Sequence, residues 1–154
     1  MLIWTLWVLL ASNCLGQVLG TWKMIPSKSR QSGGPLAKAI TVKYEAQPRE
    51  AHPKTEVWTF YQVRPDGVLE TTSQTLRFDG KEYPCGDLGF KEQPTTVVSM
   101  ELNTRTAEVA YNKSGRTTRR LVRTISADAK QMTLEVNVTP EAGPAVSSLM
   151  VFAR

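Results

Sequence analysis

From residue 38 onward, apolar side chains recur at every second position, and this period constrains the chain more than any other feature. In "KAITVKYEAQ", Ile40, Val42, Tyr44 and Ala46 alternate with Thr41, Lys43, Glu45 and Gln47. "TTVVSMEL" sets Thr96, Val98, Met100 and Leu102 against Thr95, Ser99 and Glu101, with Val97 as the exception. "QMTLEVNVT" sets Met132, Leu134, Val136 and Val138 against Thr133, Glu135 and Asn137. A period of two is the signature of a strand with one dry and one wet face, and the wealth of Thr, Val, Tyr and Trp suits a pleated surface.

Turn signals punctuate these runs: Pro65-Asp66-Gly67, Asp79-Gly80, Asn103-Thr104, Ser114-Gly115, Asp128-Ala129 and Glu141-Ala142-Gly143-Pro144. They delimit strands near 18–24, 38–47, 54–63, 68–78, 95–103, 106–112, 116–126, 131–139 and 145–153, with no amphipathic helix of useful length. Short connections make successive strands antiparallel neighbours. Such a meander has one apolar face and buries it by closing into a barrel or folding into a sandwich. The expectation is an all-β, antiparallel up-and-down β-barrel of eight or nine strands. Two irregular, proline-bounded stretches, 26–37 and 84–94, are expected to be loops that act as lids.

Before the strands stands "MLIWTLWVLLASNCLGQ", whose apolar core, Leu2 to Ala11, is too short for the roughly 20 residues of a spanning helix. It reads as a secretory signal, residues 1–16, with small residues Cys14 and Gly16 offering cleavage before Gln17, although a basic n-region is missing. Lipid attachment at Cys14 is the alternative, disfavoured by the bulk of Asn13 before it. Residues 17–154 then form one domain, secreted or periplasmic, with no transmembrane span after cleavage and enough length for a real core. Cys85 would be its lone thiol, expected to be buried.

Nucleophilic or metal chemistry usually recruits histidine, and the chain has one, His52, beside Pro53. No His-Glu-x-x-His or Gly-x-Ser-x-Gly occurs. Glu101, Glu108 and Glu135 fall on wet faces by the alternation, where nothing raises a carboxyl pKa. The expectation is a protein that is not an enzyme and uses no metal or cofactor. The net charge is +5, and Lys113, Arg116, Arg119, Arg120 and Arg123 crowd one stretch. Such a strip could meet a polyanion, but Arg119 and Arg120 point to opposite faces of a strand and no aromatic platform is interleaved. Export also argues against nucleic acid as a partner.

Three motifs carry a family resemblance. "GTWKMIPSKS" (20–29), "FDGKEYP" (78–84) and "SADAKQMT" (126–133) resemble, in order, motifs of a family of uncharacterised bacterial secreted, lipocalin-like proteins. The Gly-x-Trp of residues 20–22 also resembles the lipocalin signature, in which the Trp closes one end of an eight-stranded barrel. That resemblance implies a structural Trp22 covered by an Arg from a late strand, with Arg123 or Arg120 as candidates. Where the family has Gly in its last turn, this chain has Ala129, so a left-handed backbone there would be strained. The lipocalin Thr-Asp-Tyr motif and C-terminal helix are missing.

The dry faces carry Trp22, Tyr44, Trp58, Phe60, Met100, Tyr111 and Leu134. Of these, Tyr44, Trp58, Phe60, Met100, Tyr111 and Leu134 are the candidate lumen residues for a small apolar or amphipathic ligand. The competing reading is a structural or protein- or polyanion-interaction module, its core filled and its binding on the basic strand of Arg116, Arg119 and Arg120. Small barrels accommodate either.

Overall fold

Every second residue of the strands turns inward, and this alternation curls the sheet into an antiparallel, nearly closed barrel with almost no helix among the described residues. The computed structural model describes residues 17–47 and 54–154. The leader with Cys14 and Gly16, and the loop with His52, lie outside the described residues. The strands are β1 (Gly20–Met24), β2 (Arg30–Gln31), β3 (Ala39–Ala46), β4 (Thr55–Val63), β5 (Leu69–Arg77), β6 (Asp79–Pro84), β7 (Thr96–Asn103), β8 (Thr106–Lys113), β9 (Arg116–Ile125), β10 (Gln131–Val138) and β11 (Val146–Ala153). A 3-10 turn, Pro26–Lys28, precedes β2. No helix among the described residues is long and apolar enough to cross a membrane.

Around the barrel the order is β5-β4-β3-β1-β11-β10-β9-β8-β7-β6, with β2 clipped onto β11. β1 closes the ring by pairing with both β3 and β11, as Trp22 lies opposite Val42 and Lys23 opposite Ala153. Among the described residues, neighbours round this ring are joined by ladders except β5 and β6, so a seam runs between them. The structure has two strands more than the sequence reading. β2 is too short to alternate, and β6 is almost wholly exposed and bulged between Asp79 and Glu82, so neither shows a dry face.

The hairpin joining β8 to β9 turns through Ser114 and Gly115 alone, both at positive φ (52° and 73°), the geometry a two-residue turn needs to follow the twist of its strands. The next hairpin holds Ala129 at φ 55°, where its Cβ is a steric cost that glycine would avoid.

The alternation of β7 is a correction. Val97 and Ser99 are buried while Met100 is exposed, the reverse of the face expected from Thr96, Val98, Met100 and Leu102. The neighbouring strand decides it: Val97 lies opposite Tyr111, Ser99 opposite Val109 and Glu101 opposite Ala107, and residues directly opposite share a face. Tyr111, Val109 and Ala107 are all buried. Met100 therefore faces away from the lumen, and Glu101 turns inward with its side chain 13% exposed, held by Lys54 Nζ at 2.6 Å.

Candidate functional site

Trp22 is fully buried and donates its Nε1 hydrogen to the Val18 carbonyl at 2.7 Å. The guanidinium over its ring, 4.5 Å from the centroid, belongs to Arg154. Arg154 also donates to the carbonyls of Gln17 and Leu19. This replaces Arg123 or Arg120 as the covering residue, for a topological reason. Arg154 directly follows β11, the neighbour of β1, whereas β9 lies two strands further round.

Arg123 is engaged elsewhere. It is buried and donates through Nη1 and Nη2 to Glu56 Oε1 and Oε2 at 2.5 and 3.4 Å, with its guanidinium over the rings of Tyr44 (4.8 Å) and Phe78 (5.3 Å). Glu56 is fully buried; burial pushes its carboxyl above the usual range and Arg123 opposes this. Glu56 sits on the same face of β4 as Trp58 and Phe60, an acid on a dry face that the alternation alone places without explaining.

Beyond this layer the interior opens into a cavity of about 460 Å³. Trp58, Phe60 and Leu134 line it, joined by Ile40, Leu121, Val136 and Met150. Trp58 and Phe60 meet edge to face at 4.8 Å. Both irregular stretches contribute to the rim, with Leu36 from 26–37 and Leu88 and Phe90 from 84–94. Tyr44 stands behind Trp58, ring centroids 6.3 Å apart, and does not reach the cavity. Tyr111 is fully buried as wall support, donating from its hydroxyl to Gln74 Oε1 at 2.5 Å; burial holds its own pKa well above the usual tyrosine value. Of the six candidates the structure thus brings three to one cavity, sets two behind its wall and leaves Met100 outside.

The polar side of the cavity was not foreseen. Gln74 lines it and ties three groups together, accepting from Tyr111 and from Trp58 Nε1 (3.3 Å) and donating to Cys85 Sγ (3.9 Å). Cys85 is half-buried and free, its thiol pKa raised by burial. Arg119 faces the cavity with its guanidinium 3.8 Å from the centroid of Phe90, which itself meets Tyr111 edge to face at 5.7 Å. Among the described residues no carboxylate pairs with Arg119, and burial pulls its pKa below the usual arginine value. Its parity with Leu121 and Ile125 on β9 was the available sequence signal.

The rest of the basic run is dispersed rather than gathered. Arg120 is exposed and donates to Glu108 at 2.6 Å, Lys113 pairs with Glu141 at 3.1 Å, and Arg116 is exposed. No group of three or more metal-ligating side chains occurs among the described residues.

This architecture is a ten-strand antiparallel barrel with a seam and an internal cavity. The chain is similar in fold to As-p18, an extracellular fatty acid binding protein, with a TM-score of 0.59 and 14% identity over 92% of this chain and 99% of that one. It is also similar to zebrafish ileal bile acid-binding protein complexed with cholic acid, with a TM-score of 0.52 and 10% identity over 90% of this chain and 98% of that one. No family model matches the chain, and no curated protein matches it.

Proposed function

We propose that the domain is an exported, non-enzymatic carrier that binds a small amphipathic molecule non-covalently in the barrel cavity. The apolar part of the ligand lies against Trp58, Phe60 and Leu134, and its anionic group meets Arg119. The observation that carries this reading is a half-buried cation with no carboxylate partner among the described residues, facing a cavity of about 460 Å³, within the range of small-molecule sites. A guanidinium in such a place is desolvated without an opposite charge, a cost that an anionic ligand would offset. The names of the two fold neighbours, which bind a fatty acid and a bile acid, support the same ligand class. Export rests on the uncharged apolar leader.

Titration with dodecanoate and with dodecanol, read by Trp fluorescence and calorimetry, tests the reading. Both should bind and dodecanoate more tightly. Arg119→Leu should weaken dodecanoate by roughly 10- to 100-fold, the weight of a hydrogen bond to a charged group, and leave dodecanol unchanged. Trp58→Leu should abolish most of the fluorescence response. Silence from both ligands, or equal loss of both in Arg119→Leu, overturns it.

A further inference from the structure

The seam between β5 and β6 holds a second cavity, of about 280 Å³, lined by Ser73 and Thr75 on one side, Tyr83 and Pro84 on the other, and Leu88 and Val97 behind. We propose that this seam is a binding site for an extended peptide segment, which adds to β5 as a short strand. The proposal does not depend on what the barrel cavity binds.

The register dictates which backbone groups face the seam. β4 and β5 pair so that Thr55 lies opposite Arg77, and the next pair begins with the Phe78 amide donating to the Lys54 carbonyl at 2.9 Å. Hydrogen-bonded and non-bonded pairs alternate in an antiparallel ladder. The even residues Leu76, Gln74 and Thr72 therefore exchange bonds with β4. The odd residues Ser73, Thr75 and Arg77 turn their N–H and C=O groups away from β4, into the seam. There the Ser99 hydroxyl donates to the Arg77 carbonyl at 2.9 Å, so the edge already accepts a partner where one is within reach. Among the described residues no main-chain partner reaches Ser73 or Thr75, and both residues are exposed.

The two sides of the seam differ in how they treat this open edge. β6 carries devices that discourage strand pairing: a bulge, Lys81 and Pro84. β5 is nine residues long and has no proline, no lysine and no bulge. An edge of that kind recruits a strand, and main-chain bonds supply the affinity.

Alternation also specifies the guest. Ser73 and Thr75 lie about 7 Å apart along the strand, the spacing of residues i and i+2, so one guest residue pairs with each and a third lies between. The outer two share the outward face of Ser73 and Thr75 and match their hydroxyls. The middle one points inward, toward Leu88 and Val97, and is a small apolar residue. Thr-Val-Thr meets all three requirements.

The test titrates the full chain with the acetylated, amidated peptide Ac-Thr-Val-Thr-NH2 and follows the amide resonances. Ser73 and Thr75 should shift, with dissociation in the millimolar range expected of so few bonds. N-methylation of the third residue, which removes a pairing N–H, should weaken binding at least about tenfold, whereas N-methylation of the valine, whose N–H faces away from β5, should leave it unchanged. Of the main-chain groups Thr75→Pro removes only a seam-facing N–H, and the side-chain bond it loses, to Gln47, is exposed, so the β4–β5 ladder should survive while peptide binding is lost. Equal effects of the two N-methyl groups, a folded Thr75→Pro that binds as before, or shifts confined to the Trp58 indole would each overturn the proposal.

Discussion

Removing Glu56 would leave the Arg123 guanidinium inside the barrel without its counter-charge. Arg123 is 5% exposed and Glu56 is fully buried, so water does not replace the lost carboxylate without opening the wall. The rings of Tyr44 and Phe78 remain over the cation, each contributing about 0.5–2 kcal/mol, but they were there before the substitution and add nothing new. Breaking a buried pair from one side costs about 3–5 kcal/mol. Glu56→Ala should therefore lower the urea midpoint by about 2 M, taking a denaturant slope near 2 kcal/mol per M. The double variant Glu56→Leu/Arg123→Met removes both charges and should recover to within about 1 kcal/mol of the parent. Urea unfolding followed by Trp fluorescence measures the parent, Glu56→Ala, the double variant and its two single variants, Glu56→Leu and Arg123→Met. If the double variant is destabilised by the sum of its single variants, the two residues are not coupled and the reasoning fails. The pair has a pH signature as well. With the Glu56 carboxyl raised above its ordinary 4.5, the unfolded chain releases this proton first as pH rises, so the native state holds the extra proton. The Glu56 contribution to stability is thus fully present below pH 4.5 and declines from there up to its folded pKa. Glu56→Gln should remove that decline, and an unchanged pH profile in this variant would contradict the raised carboxyl.

Trp22→Ala should cost about 3–5 kcal/mol, because a fully buried indole and its bond to Val18 are lost together; chemical denaturation checks this, and parental stability would refute a structural role. Ala129→Gly should stabilise by about 0.5–1 kcal/mol, since the backbone at φ 55° no longer opposes a Cβ; a lower melting temperature would show that the turn carries no strain.

The strands were legible because they are amphipathic. β3 and β10 each bury alternate residues on the face that their apolar side chains announce, and each turn carries its own glycine, asparagine, aspartate or proline. β7 was misleading, because Val98, Met100 and Leu102 form the more apolar parity while Val97, Ser99 and Glu101 are the residues that turn inward. Only the ladder to β8 decides which of the two faces inward. The same limit applies to the site. Trp58, Phe60 and Leu134 lie on plainly apolar faces, whereas β5 shows no alternation to mark Gln74 as inward.

By itself the sequence determined the all-β class, the spacing of strands and turns, and the residue types available to an interior. Period and turn chemistry are local properties, and a chain of this length with one dry face per strand has few ways to bury it. Tertiary structure decided which arginine is spent and which is left over. Arg119 and Arg123 share a face of β9 and are equivalent in sequence terms. One meets Glu56, 67 residues away in the chain, and the other packs on Phe90 and faces the cavity. Charge neutralisation acts through space between strands brought together by closure of the barrel, and no local pattern records it.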